Sequence, residues 1–403
     1  MVAERSRFFC ADSFGGLDEH DLADGSLIKQ LDTQNGAVAS LWSTRDGTEL
    51  VSFGDNEPFV SRQRLDGSGA ISRRIDPGLA GYQYSPDGKL LIATQLMGSH
   101  LNDNVPGSFV LVDPSTGNIA ERLGALFAAF WNADNTLGGV TIEADGLQLA
   151  RYELASHRLV QIDYTFTRQI DRNVTNAGQP RAWISLPNGD DTWEIWTFER
   201  PSGRRVEPTL TIKSLVGLTG SPDGSRIAVS LTTGVVVFDG RTGAEIARID
   251  NRPDLRGVYF VTNDLIAISS LGGELTLHDV DTLATIRTLN GSRGFIDDIQ
   301  PTLDGSVIAA KGGDSNVQLI DVASGTPLGG PIAIPDGEWN GIALQPQGLQ
   351  LVAGGGAADG MAIWDLDPEH WVDAACRLAG RNLTTEEWDT YLGGLAPYHK
   401  TCS

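Results

Sequence analysis

The chain has 403 residues, of which 40% are hydrophobic and 20% charged, a composition typical of a folded protein and not of a disordered one. Its formal net charge of -22 at pH 7 repels phosphate backbones and anionic lipids, so we expect neither nucleic acid nor a membrane as a partner. The 48 glycines predict many tight turns between short strands.

The N-terminal segment MVAERSRFFCADS has no apolar stretch long enough for the core of a signal peptide. No run in the chain approaches the ~18 apolar residues that span a bilayer. The three cysteines, Cys10, Cys376 and Cys402, are an odd number without the CxxC spacing of a zinc site. We therefore expect a cytoplasmic protein with no cofactor and no metal.

A turn of the Asp-Gly type recurs roughly every 40–45 residues, which is the spacing of β-propeller blades. The motif Ser-Pro-Asp-Gly occupies residues 85–88 and again 221–224, and looser copies lie along the rest of the chain. In such a turn, proline presets φ, the aspartate accepts hydrogen bonds from local N–H groups, and glycine adopts positive φ. The clearest turn residues are Asp46, Gly47, Asp87, Gly88, Asp223, Gly224, Asp304 and Gly305.

Each copy of the repeat contains predicted strands around these turns. The second strand is short and almost continuously apolar, as in residues 89–93 and 226–229, which is typical of a strand buried on both faces. The third ends at an aspartate, and a Thr-Gly or Ser-Gly turn leads to the fourth. The third-strand aspartates are Asp113, Asp239, Asp279, Asp321 and Asp365. This pattern predicts an all-β fold, a single β-propeller of four-stranded blades over residues 1–367.

The turns favour eight blades, and seven is the alternative. Hairpins around the first turn begin near residues 40, 80, 125, 180, 215, 256, 297 and 341, but one additional segment fits a third strand. The first ~35 residues are therefore either a partial blade or the source of a closure strand, since a closed ring removes unpaired sheet edges. In the second case, residues 26–31 supply the outer strand of the last blade.

Beyond residue 367 the pattern changes to helix, and residues 368–403 form a predicted helical tail. The Asp367-Pro368 pair is typical of a helix start, and Gly380 is typical of a helix end. Thr384 and Glu387 have the spacing of a capping box, which predicts a second short helix.

The repeats resemble WD40 repeats over roughly residues 15–367, and Trp364-Asp365 is a true Trp-Asp dipeptide at the end of a third strand. The Gly-His pair of regular WD40 repeats is missing. The tail closely resembles the segment that ends WD40 arrays in large actinobacterial signalling proteins. Many of those carry a STAND-type NTPase, a protein kinase or a DNA-binding regulator upstream, so the resemblance implies an upstream effector domain outside this chain. The tail motif consists of Trp371, residues 375–384, Glu387-Trp388, Tyr391, Tyr398 and Thr401-Cys402.

Motifs for catalysis are missing from the sequence: it has no P-loop, no H-E-x-x-H and no G-x-S-x-G. Oxygen ligands that suit a cation such as Ca²⁺ cluster at residues 102–104, 190–191 and 297–298, although ordinary solvated turns are the favoured interpretation. His278 is expected to be a turn or core histidine.

Two further groups of residues carry alternatives. Arg168, Arg172 and Arg181 precede a tryptophan-rich repeat and are candidates for the mouth of a channel that receives an acidic ligand, with solvated loop positions as the ordinary expectation. Cys376 and Cys402 flank the tail helices; packed free thiols are the ordinary expectation, and a disulfide is the alternative.

These observations favour a non-catalytic function, either a protein–protein interaction scaffold or the sensor module of a bacterial signalling protein. The alternative is a propeller enzyme, or a sensor that binds a small ligand or metal in the central channel. Histidines and carboxylates at equivalent positions of several blades would favour the alternative, and the sequence contains no such set.

Overall fold

The structure is a computed structural model of the chain. It describes residues 7–11, 17–30, 38–43, 49–54, 60–64, 72–75, 79–95, 107–126, 128–132, 134–143, 146–154, 158–166, 172–174, 179–200, 202–289, 295–313, 316–334, 341–354, 361–391, 397–400 and 402. The predicted turn residues Asp46 and Gly47 lie outside these ranges. The chain divides into two compact units: Met1–Ile75 with Leu349–Leu351 and Ala362–Ser403, and Asp76–Gly348 with Val352–Met361.

The all-β prediction is confirmed, because the described chain consists mainly of short strands in small sheets. Two three-stranded sheets are β1–β3 (Arg7–Ala11, Leu17–Asp21, Leu27–Gln30) and β4–β6 (Val38–Ser43, Glu49–Gly54, Val60–Arg64), and the next strand is β7 (Ser72–Ile75). Three four-stranded sheets follow: β8–β11 (Leu79–Tyr84, Leu91–Gln95, Gly107–Val112, Ile119–Leu126), β12–β15 (Ala128–Trp131, Leu137–Glu143, Gly146–Glu153, Arg158–Phe166) and β16–β19 (Arg172–Val174, Arg181–Pro187, Thr192–Glu199, Arg205–Lys213).

Three more four-stranded sheets continue the same meander: β20–β23 (Leu215–Gly220, Arg226–Leu231, Gly234–Asp239, Glu245–Asp250), β24–β27 (Leu255–Phe260, Leu265–Ser270, Leu275–Asp279, Thr285–Leu289) and β28–β31 (Ile296–Pro301, Val307–Gly312, Asn316–Asp321, Ile332–Ala333). The last sheet has the order β32-β33-β34-β7, with β32 at Gly341–Leu344, β33 at Gln350–Gly354 and β34 at Met361–Asp365. One of the two alternatives from the sequence gave residues 26–31 as its outer strand, and this alternative is wrong. Residues 27–30 pair with β2 as β3, and β7 occupies the outer position.

The cores of the second unit lie between consecutive sheets. The second and third strands are buried along almost their whole length, as in β21 and β22, because their side chains are apolar at nearly every position. Fourth strands such as β27 are mostly exposed. One core cluster joins Trp183 and Ile195 to Ile227 and Phe238 of the next sheet. Burying a large apolar side chain stabilises the fold by roughly 1.5–3 kcal/mol, so these clusters bind each sheet to its neighbour.

The Asp-Gly turns have the chemistry that the sequence predicts. At residues 221–224, Ser221 Oγ donates to Asp223 Oδ1 at 2.8 Å, and the Gly224 N–H donates to the Ser221 carbonyl at 2.9 Å. Gly224 has a φ of 68°. The Ser85 hydroxyl makes the same contact with Asp87 at 2.7 Å. These hydrogen bonds lower the pKa of the turn aspartates below the usual value, although burial opposes the effect.

Neighbouring turns of the second unit are also linked to each other. The Asp223 N–H donates to Asn263 Oδ1 of the next sheet at 3.0 Å, and the Asp87 N–H donates to Asn135 Oδ1 at 3.1 Å. Gln345 Nε2 donates to the Gly88 carbonyl at 3.1 Å, although the two residues are 257 positions apart. The first strands of these sheets are also in contact with one another: β8 with β12, β16 with β20, β20 with β24, β24 with β28, β28 with β32, and β32 with β8.

Third-strand aspartates stabilise the second turn in several of the repeats. Asp239 Oδ1 accepts from the N–H groups of Arg241 and Thr242 at 2.9 and 2.7 Å, and Asp321 Oδ1 accepts from the Ser324 N–H at 2.7 Å. Hydrogen bonds of this kind keep the pKa values of these groups below the ordinary range. A part of the negative charge of the chain therefore serves local turn structure. The remaining contacts are Asp113 with Ser115, Asp279 with Thr282, and Asp365 with Asp367 and His370.

The tail forms two helices, α1 (Pro368–Ala379) and α2 (Thr385–Tyr391). The side chain of Asp367 accepts from the Glu369 N–H at 2.9 Å, and Gly380 ends α1 in the left-handed region. Thr384 and Glu387 form the predicted capping box at 2.8 and 3.2 Å. Within the described residues, no helix is long and apolar enough to cross a membrane.

The tail is closed by a disulfide between Cys376 and Cys402, which was the alternative to two free thiols. Asn382 lies beside this link, where its side chain exchanges two hydrogen bonds with the backbone of Cys402 at 2.8 and 2.9 Å. Cys10 is an exposed free cysteine. The chain therefore contains one disulfide and one free, exposed cysteine.

Candidate functional site

The second unit contains a cavity of about 430 Å³ among the first strands of its sheets. The lining comes from β8, β20, β24, β28 and β32 and from the turns that follow some of them. It is formed by residues 82–84, 179, 218–220, 222, 258–261, 298–303, 343–344 and 346. The cavity is therefore built from equivalent positions of several repeats, and differences between those positions determine its chemistry.

Asp298 is the exceptional residue at one such position. In β20 and β24, a bulge is followed by a glycine that pairs with a serine across the ladder: Gly217 with Ser230 and Gly257 with Ser269. In β28 the same bulge is followed by Asp298, which pairs with Lys311. A carboxylate and an ammonium group thus replace glycine and serine in this sheet.

The Asp298 side chain is held in a partly buried polar setting. Gln300 Nε2 donates to its Oδ1 at 3.2 Å, and the backbone N–H groups of Ile299 and Ile342 also donate to the carboxylate. Burial raises the pKa of Asp298 to about 6, although these hydrogen bonds and the positive charge of Lys311 act in the opposite direction. Asp298 therefore titrates close to neutral pH.

The preceding residue, Asp297, is the bulged residue of β28 and makes different contacts. Its carboxylate lies 2.5 Å from Arg256 Nη2 and 3.5 Å from Lys311 Nζ. Its carbonyl accepts from the Tyr259 hydroxyl at 2.8 Å. Arg256 is itself the bulged residue of β24, so equivalent positions of neighbouring sheets form an ion pair. Lys311 is buried, and Asp297 is its salt-bridge partner.

The polar groups that line the cavity are mainly hydrogen-bond acceptors. Tyr82 lies with its hydroxyl 3.1 and 2.5 Å from the carbonyls of Leu79 and Gly354, which leaves its oxygen lone pairs for other donors. Since the amide nitrogen of Gln300 is used by Asp298, its Oε1 remains as an acceptor. Gln179 donates to two carbonyls, and its buried Oε1 has no hydrogen-bond partner among the described residues.

The rim of the cavity is apolar. Leu303 follows the end of β28, and it is 73% exposed, more than any other large hydrophobic residue in the described part of the chain. Pro222 and Pro346 belong to neighbouring turns and line the same cavity. The Leu303 N–H donates to the Pro346 carbonyl at 2.8 Å, which fixes the two turns relative to each other. The rim thus exposes apolar surface on a backbone that hydrogen bonds hold in place.

The acidic pairs singled out in the sequence do not form a metal site in the described part of the chain, where no group of three or more metal-ligating side chains converges. Asp297 is paired with two cations, and Asp298 bonds to Gln300. Asp190 and Asp191 both have positive φ in a turn, and Asp191 accepts from the Ser214 hydroxyl. Residues 102–104 lie outside the described ranges.

Arg181 does not line this cavity, so the alternative that placed it at a channel mouth is not supported, and the ordinary expectation of a loop position is also wrong because Arg181 begins β17. It lines a separate groove of about 660 Å³, where its guanidinium donates to the Gly240 carbonyl at 2.6 Å. Arg168 and the side chain of Arg172 lie outside the described residues. His278 is a buried turn histidine, as predicted, within 3.0 Å of the Leu283 carbonyl and 2.8 Å of the Thr276 hydroxyl. Burial lowers its pKa.

The comparisons with known proteins add no name to this site. The chain matches no family model, and no curated protein matches its sequence. The case for a functional site therefore depends on the geometry above.

Sequence reasoning missed the pairing of Asp298 with Lys311, although the sequence contains a signal for it. Counted back from the first turn, Gly217, Gly257 and Asp298 occupy the same position of consecutive repeats. The turns and strand ends, which define the repeat, agree between these sheets, whereas this inner position carries glycine in two of them and aspartate in the third.

Proposed function

We propose that the seven four-stranded sheets close into a WD40-like β-propeller. Contacts between the β8–β11 sheet and the β32-β33-β34-β7 sheet support this proposal. Gln345 donates to the Gly88 carbonyl, and the Tyr82 hydroxyl bonds to the Gly354 carbonyl. A Cβ at Gly88 would lie 2.4 Å from Gln347 Oε1, so the two turns are closely packed. The proposed propeller has seven blades, one for each four-stranded sheet, which is the alternative to the eight blades that the turn count favours.

The function that this geometry supports best is non-catalytic recognition of a protein partner at the cavity rim. The observation that carries it is the exposed Leu303 beside Pro222 and Pro346, at the opening of an acceptor-rich cavity. Binding sites combine an apolar contact surface with a few polar groups that fix orientation, and both are present here. A repeat scaffold also keeps the loops that carry such groups in fixed positions.

Affinity capture from the native host with two matched variants tests this proposal. Leu303→Asp places a charge on the rim, and Leu271→Asp does the same at an exposed leucine of 56% exposure outside the cavity. We expect a partner that binds the unmodified chain and Leu271→Asp but is lost with Leu303→Asp. Equal recovery by both variants, each with an unchanged melting temperature, would contradict the assignment of the rim as the binding surface.

A second candidate function, a sensor or enzyme that uses the cavity for a small ligand, is favoured by the titratable Asp298. Its carboxyl is partly buried, raised in pKa and paired across the ladder with a buried lysine. Such groups occur in functional sites more often than in ordinary turns. A screen of metals and metabolites by melting temperature distinguishes this candidate, because it predicts a stabilising ligand whose effect is lost in Asp298→Asn.

The biological setting is a proposal from the tail motif alone. Because the tail resembles the end of WD40 arrays in actinobacterial signalling proteins, we propose that the propeller senses a partner on behalf of an effector domain. Recovery of an NTPase, a kinase or a regulator domain, either encoded in frame or captured as a partner, would support this setting. An effector domain whose activity is the same with and without the propeller would contradict this setting.

A further inference from the structure

The interior of the cavity has a definite chemical preference, which goes beyond the proposed contact at its rim. Its lining contains a carboxyl group, amide oxygens and tyrosine hydroxyls, but no lysine or arginine. The hydroxyls of Tyr82 and Tyr259 already donate to backbone carbonyls, so what these two groups offer is lone pairs. A group that enters the cavity beside Asp298, Tyr82 and Tyr259 therefore meets acceptors at these three residues and is favoured if it carries donors of its own.

Two of these acceptors are adjacent. Gln300 donates through Nε2 to Asp298 Oδ1 at 3.2 Å, so its amide oxygen lies on the same short segment of β28 as the Asp298 carboxylate. The carboxylate also accepts from the Ile299 and Ile342 N–H groups, and with about four acceptor positions on its two oxygens it has room for a further donor. The side chains of Asp298 and Gln300 are only partly buried, whereas the apolar side chains of the second and third strands are mostly buried. We propose that Asp298 and Gln300 bind an organic ammonium or guanidinium group inside this cavity.

The charges around Asp298 agree with this proposal. On its own strand, Asp297 is negative; across the ladder, Lys311 is positive; from the preceding sheet, Arg256 and Tyr259 face Asp297. Both cations lie within salt-bridge distance of Asp297. Neither cation lines the cavity, so a positively charged ligand is the group that can neutralise Asp298 from that side.

The position in the repeat supports the same conclusion. Gly217 and Gly257 place no side chain at the corresponding point of β20 and β24. A carboxylate at only one of these three equivalent positions breaks the symmetry of the cavity and directs a ligand to one side of it. A core requirement would act on all three sheets, because their inner strands have the same bulge and the same ladder.

The group has two possible sources, a free small amine or a basic side chain of the partner. The inference depends on the proposed function only for the second source. Agmatine represents the free ligand, and the peptide acetyl-Gly-Arg-Gly-amide represents the side chain. N-butylurea is the control, because it has a similar planar head without the charge.

Isothermal titration with these probes at pH 7.5 tests the proposal. We expect agmatine or the arginine peptide to bind, N-butylurea to bind at least tenfold more weakly, and Asp298→Asn and Gln300→Leu to weaken binding tenfold or more. Asp304→Asn, a turn substitution outside the cavity, should leave the affinity unchanged. Binding by agmatine identifies a free amine as sufficient, and binding by the peptide alone identifies a partner side chain.

The pH dependence is the second measurement. Since Asp298 titrates near 6, affinity for the cation should fall roughly tenfold between pH 7 and pH 5, and Asp298→Asn should abolish that dependence. Absence of binding by both cationic probes, or equal binding to Asp298→Asn when circular dichroism shows that it is folded, would overturn the proposal. Either result leaves the rim test with Leu303 unaffected, so the two failures are distinguishable.

Discussion

Asp298 lies directly across the β28–β29 ladder from Lys311, at positions where the two preceding sheets pair glycine with serine. Asp298 lines the cavity of the second unit, and Lys311 is buried. Buried charges reduce stability unless they are paired, so their presence requires a reason other than packing. This relationship leads to the first two predictions.

The first prediction concerns Asp298 and pH. Its folded pKa, about 6, is above the ordinary value of 3.8, so the folded state favours the protonated form. Stability from this group is present at low pH and is lost as the pH rises from about 4 to above 6. Asp298→Asn should therefore stabilise the protein at pH 7.5, by on the order of 1–2 kcal/mol after allowance for solvent access, and should give no gain at pH 4.

Chemical denaturation at both pH values measures this effect, and Asp304→Asn is the control. The pKa of Asp304 is lowered, chiefly by the hydrogen bond from the Ser306 N–H, so removal of its charge should destabilise the protein at pH 7.5. Destabilisation by Asp298→Asn at pH 7.5 would show that the charged form is the stable one and would contradict the account.

The second prediction concerns the ion pairs of Asp297. Asp297→Asn removes the carboxylate that lies within salt-bridge distance of the buried Lys311, whereas Arg256→Gln leaves Asp297 paired with Lys311. We expect Asp297→Asn to cost on the order of 3 kcal/mol and Arg256→Gln less than about 1 kcal/mol. Adding Lys311→Met to Asp297→Asn should restore part of the lost free energy of unfolding. If it does not, the unpaired charge of Lys311 is not the cause of the destabilisation.

The all-β class, the turns and the tail helices were predictable because their signals are local. Asp223 and Gly224 mark a turn through their own backbone preferences, and Asp367 and Gly380 mark the two ends of a helix in the same way. Partners across sheets were not predictable from such signals. Whether residues 26–31 or 72–75 pair with β34 depends on packing between segments far apart in the chain, which local signals do not encode. The sequence left the place of Arg181 open for the same reason, because a strand pattern does not show which neighbouring groove a side chain enters.

The third prediction separates backbone strain from crowding at the turn glycines. Gly305 has a φ of 69°, and a Cβ there would lie 2.3 Å from Thr262 Cγ2 in the preceding sheet. Gly329 has a φ of 72° and nothing within 4 Å of such a Cβ. Gly329→Ala should cost about 1 kcal/mol from the left-handed conformation alone, and Gly305→Ala at least 1 kcal/mol more. Equal losses in denaturant titrations would contradict the tight packing of neighbouring turns.

The fourth prediction concerns the tail disulfide. Cys376 and Cys402 are 26 residues apart, so the link restricts the unfolded tail and should stabilise it by about 3 kcal/mol. Replacing both with serine should therefore release the buried Trp388 at a lower temperature, as measured by its fluorescence. Cys10→Ser is the control and should have no effect, because Cys10 is exposed and free.

The disulfide also provides a test of location. Such links persist mainly in oxidising compartments, which weighs against the cytoplasmic location that the sequence predicts. Alkylation of intact cells before lysis should find Cys376 and Cys402 blocked if the protein resides in an oxidising compartment. Two free thiols at these positions in living cells would favour the cytoplasm and would make the link a product of oxidation after lysis.

The central claim, that Asp298 is a recognition group in the cavity, is tested most directly by its own titration. Carbon-detected NMR of the side-chain carboxyl, assigned with Asp298→Asn, gives its pKa with and without agmatine. We predict a midpoint close to 6 in the free protein and a lower midpoint when agmatine is bound, because the cation favours the ionised form. A midpoint near 4 that agmatine does not change would contradict the claim.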